Sequence, residues 1–88
     1  MIIPRRKELN QMEEKILACL NRYPGSRKRE IASSLQIWLC DKLFLDTMSK
    51  LKNDGLIKYV TINDPANMEF YDKWYLTEAG YRAIMNVD

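Results

Sequence analysis

Residues 45–60 read LDTMSKLKNDGLIKYV, and the spacing of the apolar residues changes in the middle of this stretch. Up to Leu51 the apolar residues recur at intervals that place them on one face of a helix. Residues 56–62 are instead dense in β-branched and aromatic residues, which are typical of a strand. Between the two lies Gly55, and glycine readily adopts the left-handed conformation that ends many helices. The stretch therefore predicts a helix that ends at this glycine and a strand that follows at once.

Three helices are predicted before this strand, over residues 6–23, 27–35 and 38–54. A Pro-Gly pair separates the first two helices, and Ser26 is expected to cap the second. Residues 36 and 37 form the predicted turn before the third helix. The apolar residues predicted to face the core recur at helical spacing: Leu9, Met12, Ile16, Cys19, Leu20, Tyr23, Ile31, Ala32, Leu35, Cys40, Phe44, Met48 and Leu51.

A hairpin and a short last helix are predicted to follow. Two strands, residues 56–62 and 70–76, flank a turn at residues 63–67 that is rich in Asn, Asp and Pro. Thr77 is expected to cap the last helix, because a threonine oxygen can accept from the free amides of the first helical turn. The predicted class is α+β, with three helices, a two-stranded β-hairpin and a C-terminal helix.

The second strand carries several aromatic residues. Trp74 and Leu76 alternate toward one face and are predicted to be core, in preference to a surface that stacks single-stranded bases. Tyr71 and Tyr75 fall on the other face, where they are available to support a dimer.

Three segments resemble parts of the winged helix-turn-helix domains of the MarR- and PadR-like superfamily, which includes small archaeal and viral relatives. REIASSLQI, residues 29–37, is similar to the second helix and turn of a helix-turn-helix, where a small alanine lets the two helices cross. LDTMSKLKNDGLIKYV resembles the end of the recognition helix with the first wing strand. WYLTEAGYRAI, residues 74–84, resembles the second wing strand and the following helix. The resemblance implies a winged helix-turn-helix fold and DNA binding.

Two departures from the family pattern concern the turn before helix 3. Gln36 stands where a glycine is usual, and the distance from Leu35 to Gly55 is longer than the pattern expects. Helix 3 therefore either starts early or is entered from a wider turn.

Composition restricts the class of protein further. A chain of 88 residues has room for one core, so residues 1–88 are expected to form a single domain, with residues 1–5 as a flexible basic arm. No apolar run approaches the roughly 18 residues that cross a bilayer, and a cytoplasmic, nucleoid-associated protein with no membrane contact is expected.

The residue types that support catalysis or metal binding are sparse. The chain has no His, and Cys19 and Cys40 lack the spacing of metal or redox motifs. Both cysteines lie on apolar helical stripes, which favours buried free thiols over a disulfide. We therefore expect no metal and no cofactor, and we do not expect an enzyme.

The formal charge of +2 is unevenly distributed. Residues 1–30 contain eight basic and four acidic residues, whereas residues 31–88 contain six and eight. This asymmetry indicates one basic face. In a winged helix the third helix enters the major groove while helix 2 and the wing hold phosphates, so double-stranded DNA is the predicted partner. The predicted contact residues are basic or small and polar: Arg5, Arg6, Arg27, Lys28, Arg29, Lys42, Ser49 and Lys52.

Other features of helix 3 favour a different partner. Asp41 and Asp46 repel phosphate, although a carboxylate can accept a hydrogen bond from cytosine. The hairpin tip, residues 63–69, has no Lys or Arg. Trp38 and Leu45 are predicted to form an exposed apolar strip, which is typical of a partner surface or of extra packing in the native fold, and only sometimes of a contact to thymine methyl groups. The alternative function is therefore a protein–protein interaction module on the same fold.

A single DNA-binding domain contacts few base pairs, and an operator with two-fold symmetry doubles the contacts between protein and DNA. We therefore predict a small transcriptional regulator that is a homodimer, with helix 1 or the C-terminal helix at the interface. No small-molecule effector is predicted.

Overall fold

A computed structural model describes residues 9–85 of the chain. The helices and strands, in chain order, are α1 (Gln11–Arg22), α2 (Lys28–Ser34), α3 (Lys42–Asn53), β1 (Ile57–Asp64), β2 (Glu69–Leu76) and α4 (Glu78–Met85). The predicted order and the α+β class are confirmed. The predicted basic arm, with Arg5 and Arg6, lies outside the described residues.

Side chains cap the starts of α1 and α4. The Asn10 side chain accepts from the Glu13 amide, and the Glu13 carboxylate accepts from the Asn10 amide, both at 2.8 Å. This reciprocal pair satisfies two amides that the helix itself leaves unpaired. At α4 the Thr77 hydroxyl accepts from the Gly80 amide at 3.1 Å, which confirms the predicted cap.

The start of α2 differs from the prediction, because Ser26 is not its cap. The Ser26 hydroxyl donates to the Tyr23 carbonyl at 2.7 Å, and the helix begins after Arg27. The Arg27 amide donates to the Glu30 carboxylate at 2.8 Å. Ser26 is in extended backbone that pairs with β2, so its side chain is not at the helix end.

Helix α3 begins at Lys42, four residues later than the predicted start at Trp38. The side chain of Asp41 accepts from the Phe44 amide at 3.0 Å, and its extended backbone prevents the helix from continuing backward. Gln36 has a φ of 60°, the left-handed conformation that the usual glycine adopts easily. Of the two expectations for this turn, the wider turn is the one observed.

The core lies between α1, α2, α3 and the inner face of the hairpin. It is formed by twelve buried apolar residues: Ile16, Leu17, Cys19, Leu20, Ile31, Ala32, Phe44, Met48, Leu51, Ile57, Trp74 and Leu76. Two predicted core positions are wrong. Tyr23 is 56% exposed because it follows the last residue of α1, and Cys40 is exposed because it precedes α3. Both cysteine thiols are free.

The hairpin is antiparallel, with Ile57 opposite Leu76 and Asp64 opposite Glu69. A further bridge joins Ser26 to Trp74, at the edge of β2 that does not face β1. In this bridge the Trp74 amide donates to the Ser26 carbonyl at 2.8 Å, and the Gly25 amide donates to the Trp74 carbonyl at 2.8 Å. The start of α2 is therefore attached to the hairpin.

One ion pair connects α1 to α3. Lys50 Nζ lies 2.5 Å from a carboxylate oxygen of Glu13, whose side chain is 2% exposed. The hydrogen bond to Glu13 raises the pKa of Lys50; burial opposes this shift, and the charges of Glu13 and Asp54 add to it. Because this pair places the Lys50 ammonium against α1, Lys50 serves the packing of the two helices.

No helix within residues 9–85 has the length and apolar character needed to span a membrane.

Candidate nucleic-acid interface

Three consecutive basic residues lie at the start of α2. Arg27 precedes the first helical residue, and Lys28 and Arg29 occupy the first turn. The bridge between Ser26 and Trp74 holds the backbone immediately before them against β2. Arg29 is exposed, whereas Arg27 and Lys28 are half-buried. The predicted basic cluster therefore exists, and two of its members rest on the hairpin.

Arg27 and Lys28 contact aromatic rings on opposite faces of β2. The guanidinium carbon of Arg27 lies 3.8 Å from the ring centroid of Tyr71. Lys28 Nζ lies 5.5 Å from the ring of Trp74. Contacts of a cation with an aromatic face reduce the mobility of the cation and keep its charge at a defined position.

A second aromatic ring extends this arrangement to α3. Tyr59 on β1 is directly opposite Trp74, and their ring centroids are 4.9 Å apart. Lys52 Nζ of α3 lies 5.6 Å from the Tyr59 ring. We call Lys28, Trp74, Tyr59 and Lys52 the cation–aromatic row. It places one cation from α2 and one from α3 on the same side of the hairpin.

Tyr59 is not among the contact residues that the sequence predicts. The signal that could have found it is the hairpin register, because a residue opposite a core tryptophan shares its face. To predict that register, one must know which residues form the turn. The observed turn differs from the predicted one by one to two residues at its ends, since β1 continues to Asp64 and β2 starts at Glu69.

The solvent face of α3 is polar and nearly neutral. Lys42, Asp46, Ser49 and Asn53 are exposed and follow one another at helical spacing. Lys42 Nζ lies 3.0 Å from an Asp46 carboxylate oxygen, with both side chains mostly in solvent. Such a pair contributes little to stability, so Lys42 is easily released to another partner.

The exposed apolar strip predicted on helix 3 is not formed. Trp38 is 80% exposed, but it lies in the turn before α3. Leu45 is half-buried and packs against the core. The exposed apolar residues in this region are instead Trp38, Leu39 and Leu43.

The hairpin tip is closed by its own side chains. The carboxylate of Asp64 accepts from the Ala66 amide at 3.1 Å and from the Asn67 side chain at 2.8 Å. Met68 is 88% exposed and has a φ of 53°. The tip therefore presents an apolar and acidic surface.

Comparison with known proteins gives matches among solved structures, whereas neither the protein-family models nor the curated proteins gave a match. The transcriptional repressor CouR, bound to a 23-mer DNA duplex, has a TM-score of 0.71 and 24% identity over 90% of this chain and 52% of its own. Streptococcus pneumoniae FabT in complex with DNA has a TM-score of 0.77 and 17% identity over 94% and 55%. Lactococcus lactis ZitR, a zinc-responsive MarR family member, has a TM-score of 0.74 and 23% identity over 92% and 52%.

The fold is a winged helix-turn-helix. In this fold α2 and α3 form the helix-turn-helix, and the hairpin of β1 and β2 is the wing. The predicted resemblance to MarR-family winged-helix proteins is confirmed for the fold. This chain spans about half the length of the solved relatives, between 52% and 55%.

The winged helix brings some of the predicted contact residues together. Arg27, Lys28 and Lys52 all contact aromatic residues of the wing. Lys42 and Ser49 lie on the solvent face of α3, apart from these aromatic rings.

Proposed function

We propose that this chain binds duplex DNA and acts as a small transcriptional regulator. In this proposal α3 enters the major groove and the start of α2 contacts the phosphate backbone. The observation that carries it is the cation–aromatic row, because its two lysines belong to the two helices of the helix-turn-helix. DNA-bound relatives of the same fold, CouR and FabT, support it.

The roles of the contact residues follow from their chemistry. Arg27, Lys28 and Arg29 neutralise phosphates, since their charges lie at a helix start that is fixed to the wing. Ser49 and Asn53, exposed on α3, reach base edges, because hydroxyl and amide groups can both donate and accept there.

The two remaining α3 cations have different roles. Lys42 leaves its exposed pair with Asp46 to meet a phosphate. Lys52 supplies a phosphate contact from the wing side of α3.

The phosphate contacts determine how affinity depends on salt. If Arg27, Lys28, Arg29, Lys42 and Lys52 each neutralise one phosphate, the slope of log K against log salt is roughly −4.5 per protomer. The wing tip adds little to this slope, because it has no Lys or Arg.

We further propose that the regulator is a cytoplasmic homodimer. Two DNA-binding domains related by two-fold symmetry match a palindromic operator and double the number of protein–DNA contacts. On α4, Tyr81 is 41% exposed and Met85 is 71% exposed, which makes this helix a candidate for the interface.

The test is fluorescence anisotropy of labelled duplex DNA, titrated with protein from roughly 50 to 200 mM salt. Reversal of the α2 cluster, Arg27→Glu with Lys28→Glu and Arg29→Glu, should abolish binding over this range. A control that reverses charge away from α2 and α4 is Lys15→Glu with Arg22→Glu on α1. We expect the control variant to bind DNA with the same salt slope as the original protein. Failure of the unmodified protein to bind at 50 mM salt would reject the proposal.

A second candidate function is docking of a protein partner. It is favoured by the exposed side chains of Trp38 at 80% and Leu43 at 60%, which are large apolar surfaces beside α3. Trp38→Ala with Leu43→Ala should then disrupt a protein complex while the α2 reversal leaves that complex intact. If DNA affinity depends on the α2 cluster and not on Trp38 and Leu43, the result favours the transcriptional regulator over the protein-docking module.

A further inference from the structure

The indole nitrogen of Trp74 is a buried donor without an acceptor. Trp74 is 4% exposed, and within the described residues its Nε1 is the buried side-chain polar atom for which no hydrogen-bond partner is present. A buried N–H group without an acceptor is costly, and most such groups in native proteins are paired. An acceptor that reached this N–H group would therefore stabilise the folded protein.

Trp74 also lines a groove that contains three basic residues. The groove has a volume of about 430 Å³ and runs between the start of α2, Leu39 and β2. Arg27, Lys28 and Arg29 line it together with Trp74. The three cations follow Ser26 directly, and Ser26 is the bridge partner of Trp74. The backbone of the three cations therefore begins beside Trp74, and the Lys28 ammonium lies over its ring, whereas the Arg27 guanidinium stacks on Tyr71, three residues earlier in β2.

The acidic residues of the groove lie farther along β2. Glu69 and Asp72 also line it, five and two residues before Trp74 in the same strand. The Asp72 carboxylate already accepts a hydrogen bond from the Thr61 hydroxyl at 2.8 Å. At about 3.3 Å per residue, Glu69 is roughly 16 Å from Trp74 along the strand. Asp72 is roughly 7 Å from Trp74 along the strand. The groove is therefore lined by three cations and two carboxylates, and its net charge is positive.

We infer that this groove binds a phosphate group beside Trp74, with Trp74 Nε1 as a hydrogen-bond donor and Lys28 and Arg29 as its counter-charges. Lys28, whose ammonium lies over the Trp74 ring, moves aside as the phosphate reaches the indole nitrogen. The inference rests on the proposed function in one respect, because a DNA backbone phosphate is the favoured source. Free phosphate has the same chemistry.

The test uses the two indole N–H signals of the chain in a ¹H–¹⁵N correlation spectrum. The sequence contains two tryptophans, and Trp38→Phe assigns the signals because it removes one of them. The protein is titrated with duplex DNA and, separately, with inorganic phosphate at constant ionic strength. We expect the Trp74 signal to shift downfield on saturation, as an indole N–H does when it gains a charged acceptor.

The outcomes separate this inference from the proposed function. A DNA-induced downfield shift of Trp74 supports both. DNA binding by anisotropy with an unchanged Trp74 signal overturns the phosphate contact and leaves the regulator proposal in place. No DNA binding, together with a shift by inorganic phosphate, supports a free-phosphate site and rejects the regulator. No response to either probe overturns the inference.

A substitution gives an independent measurement. Trp74→Phe keeps an aromatic ring against Tyr59 but removes the donor, so DNA affinity should fall roughly ten-fold. The salt slope should stay the same, because the lost group carries no charge. Trp38→Phe, the same change at an exposed position outside the groove, should alter the affinity less than two-fold. Equal affinities of Trp74→Phe and the original protein would contradict the inference, and the indole titration decides if the variant does not fold.

Discussion

Gly80→Ala tests how closely α4 packs against the start of the wing. Gly80 is buried in the first turn of α4, and a Cβ added there would lie 2.2 Å from the carbonyl oxygen of Leu56. Real Cβ atoms essentially never approach closer than 3.0 Å, so α4 must retreat by about 0.8 Å, the difference between these two distances. The opposing atom belongs to the backbone and cannot rotate away.

The retreat also weakens the hydrogen bond that anchors the start of α4. The Thr77 amide donates to the same Leu56 carbonyl at 3.0 Å, and the Thr77 hydroxyl donates to the Gly55 carbonyl at 2.6 Å. Overpacking costs about 1–3 kcal/mol and the lost hydrogen bond about 1 kcal/mol. The higher helix propensity of alanine returns about 1 kcal/mol. The free energy of unfolding should therefore fall by about 1–3 kcal/mol.

Thermal unfolding followed by circular dichroism measures this loss. For a domain of this size each kcal/mol corresponds to about 4–8 °C, so a loss of 2 kcal/mol lowers the Tm by about 8–16 °C. Ala79→Gly, at the exposed neighbouring position, is the control for helix propensity and should lose about 1 kcal/mol. A Gly80→Ala variant as stable as the original protein, or more stable, would show that the close contact does not exist and that propensity alone governs this position.

Three further substitutions test the capping, turn and ion-pair assignments by thermal or urea unfolding. Asp41→Ala removes the cap of α3 and should cost about 1 kcal/mol, whereas a Tm unchanged from the original would place the helix start elsewhere. Gln36→Gly should stabilise the chain by roughly 0.5–1 kcal/mol, because it relieves a left-handed backbone; destabilisation would contradict the observed φ. The raised pKa of Lys50 means that its stabilising contribution is complete below the ordinary lysine value of about 10.4 and is lost as the pH rises through the raised value. Lys50→Met should therefore be less stable than the original at pH 8, and the difference should shrink above pH 11; a difference that is the same at both values would reject the pair with Glu13.

The helical part of the fold could be predicted closely because its signal is local. Phe44, Met48 and Leu51 are buried as their spacing predicts, and Gly55 ends α3 with a φ of 80°. The start of the same helix was predicted four residues too early, because Cys40 continues the apolar spacing. The signal against that extension was Asp41, whose side chain type favours the N-cap position.

The candidate site could be predicted less well. The cluster of Arg27, Lys28 and Arg29 is visible in the charge distribution, and the acidic wing tip is visible in its composition. The aromatic partners of that cluster were not visible. Tyr71 and Trp74 are more than forty residues away in the chain and come to α2 only through the bridge at Ser26.

The order of the elements, the core faces of the helices and the basic start of α2 follow from the sequence alone, because each depends on residue types within a few positions of one another. The tertiary structure alone decides which cations remain available for a ligand. Lys50 is directed to Glu13, 37 residues away, while Lys28 and Lys52 meet the aromatic pair of the wing. Within residues 9–85 it also leaves Trp74 Nε1 without an acceptor. These outcomes depend on distances between residues far apart in the chain, and local spacing contains no information about those distances.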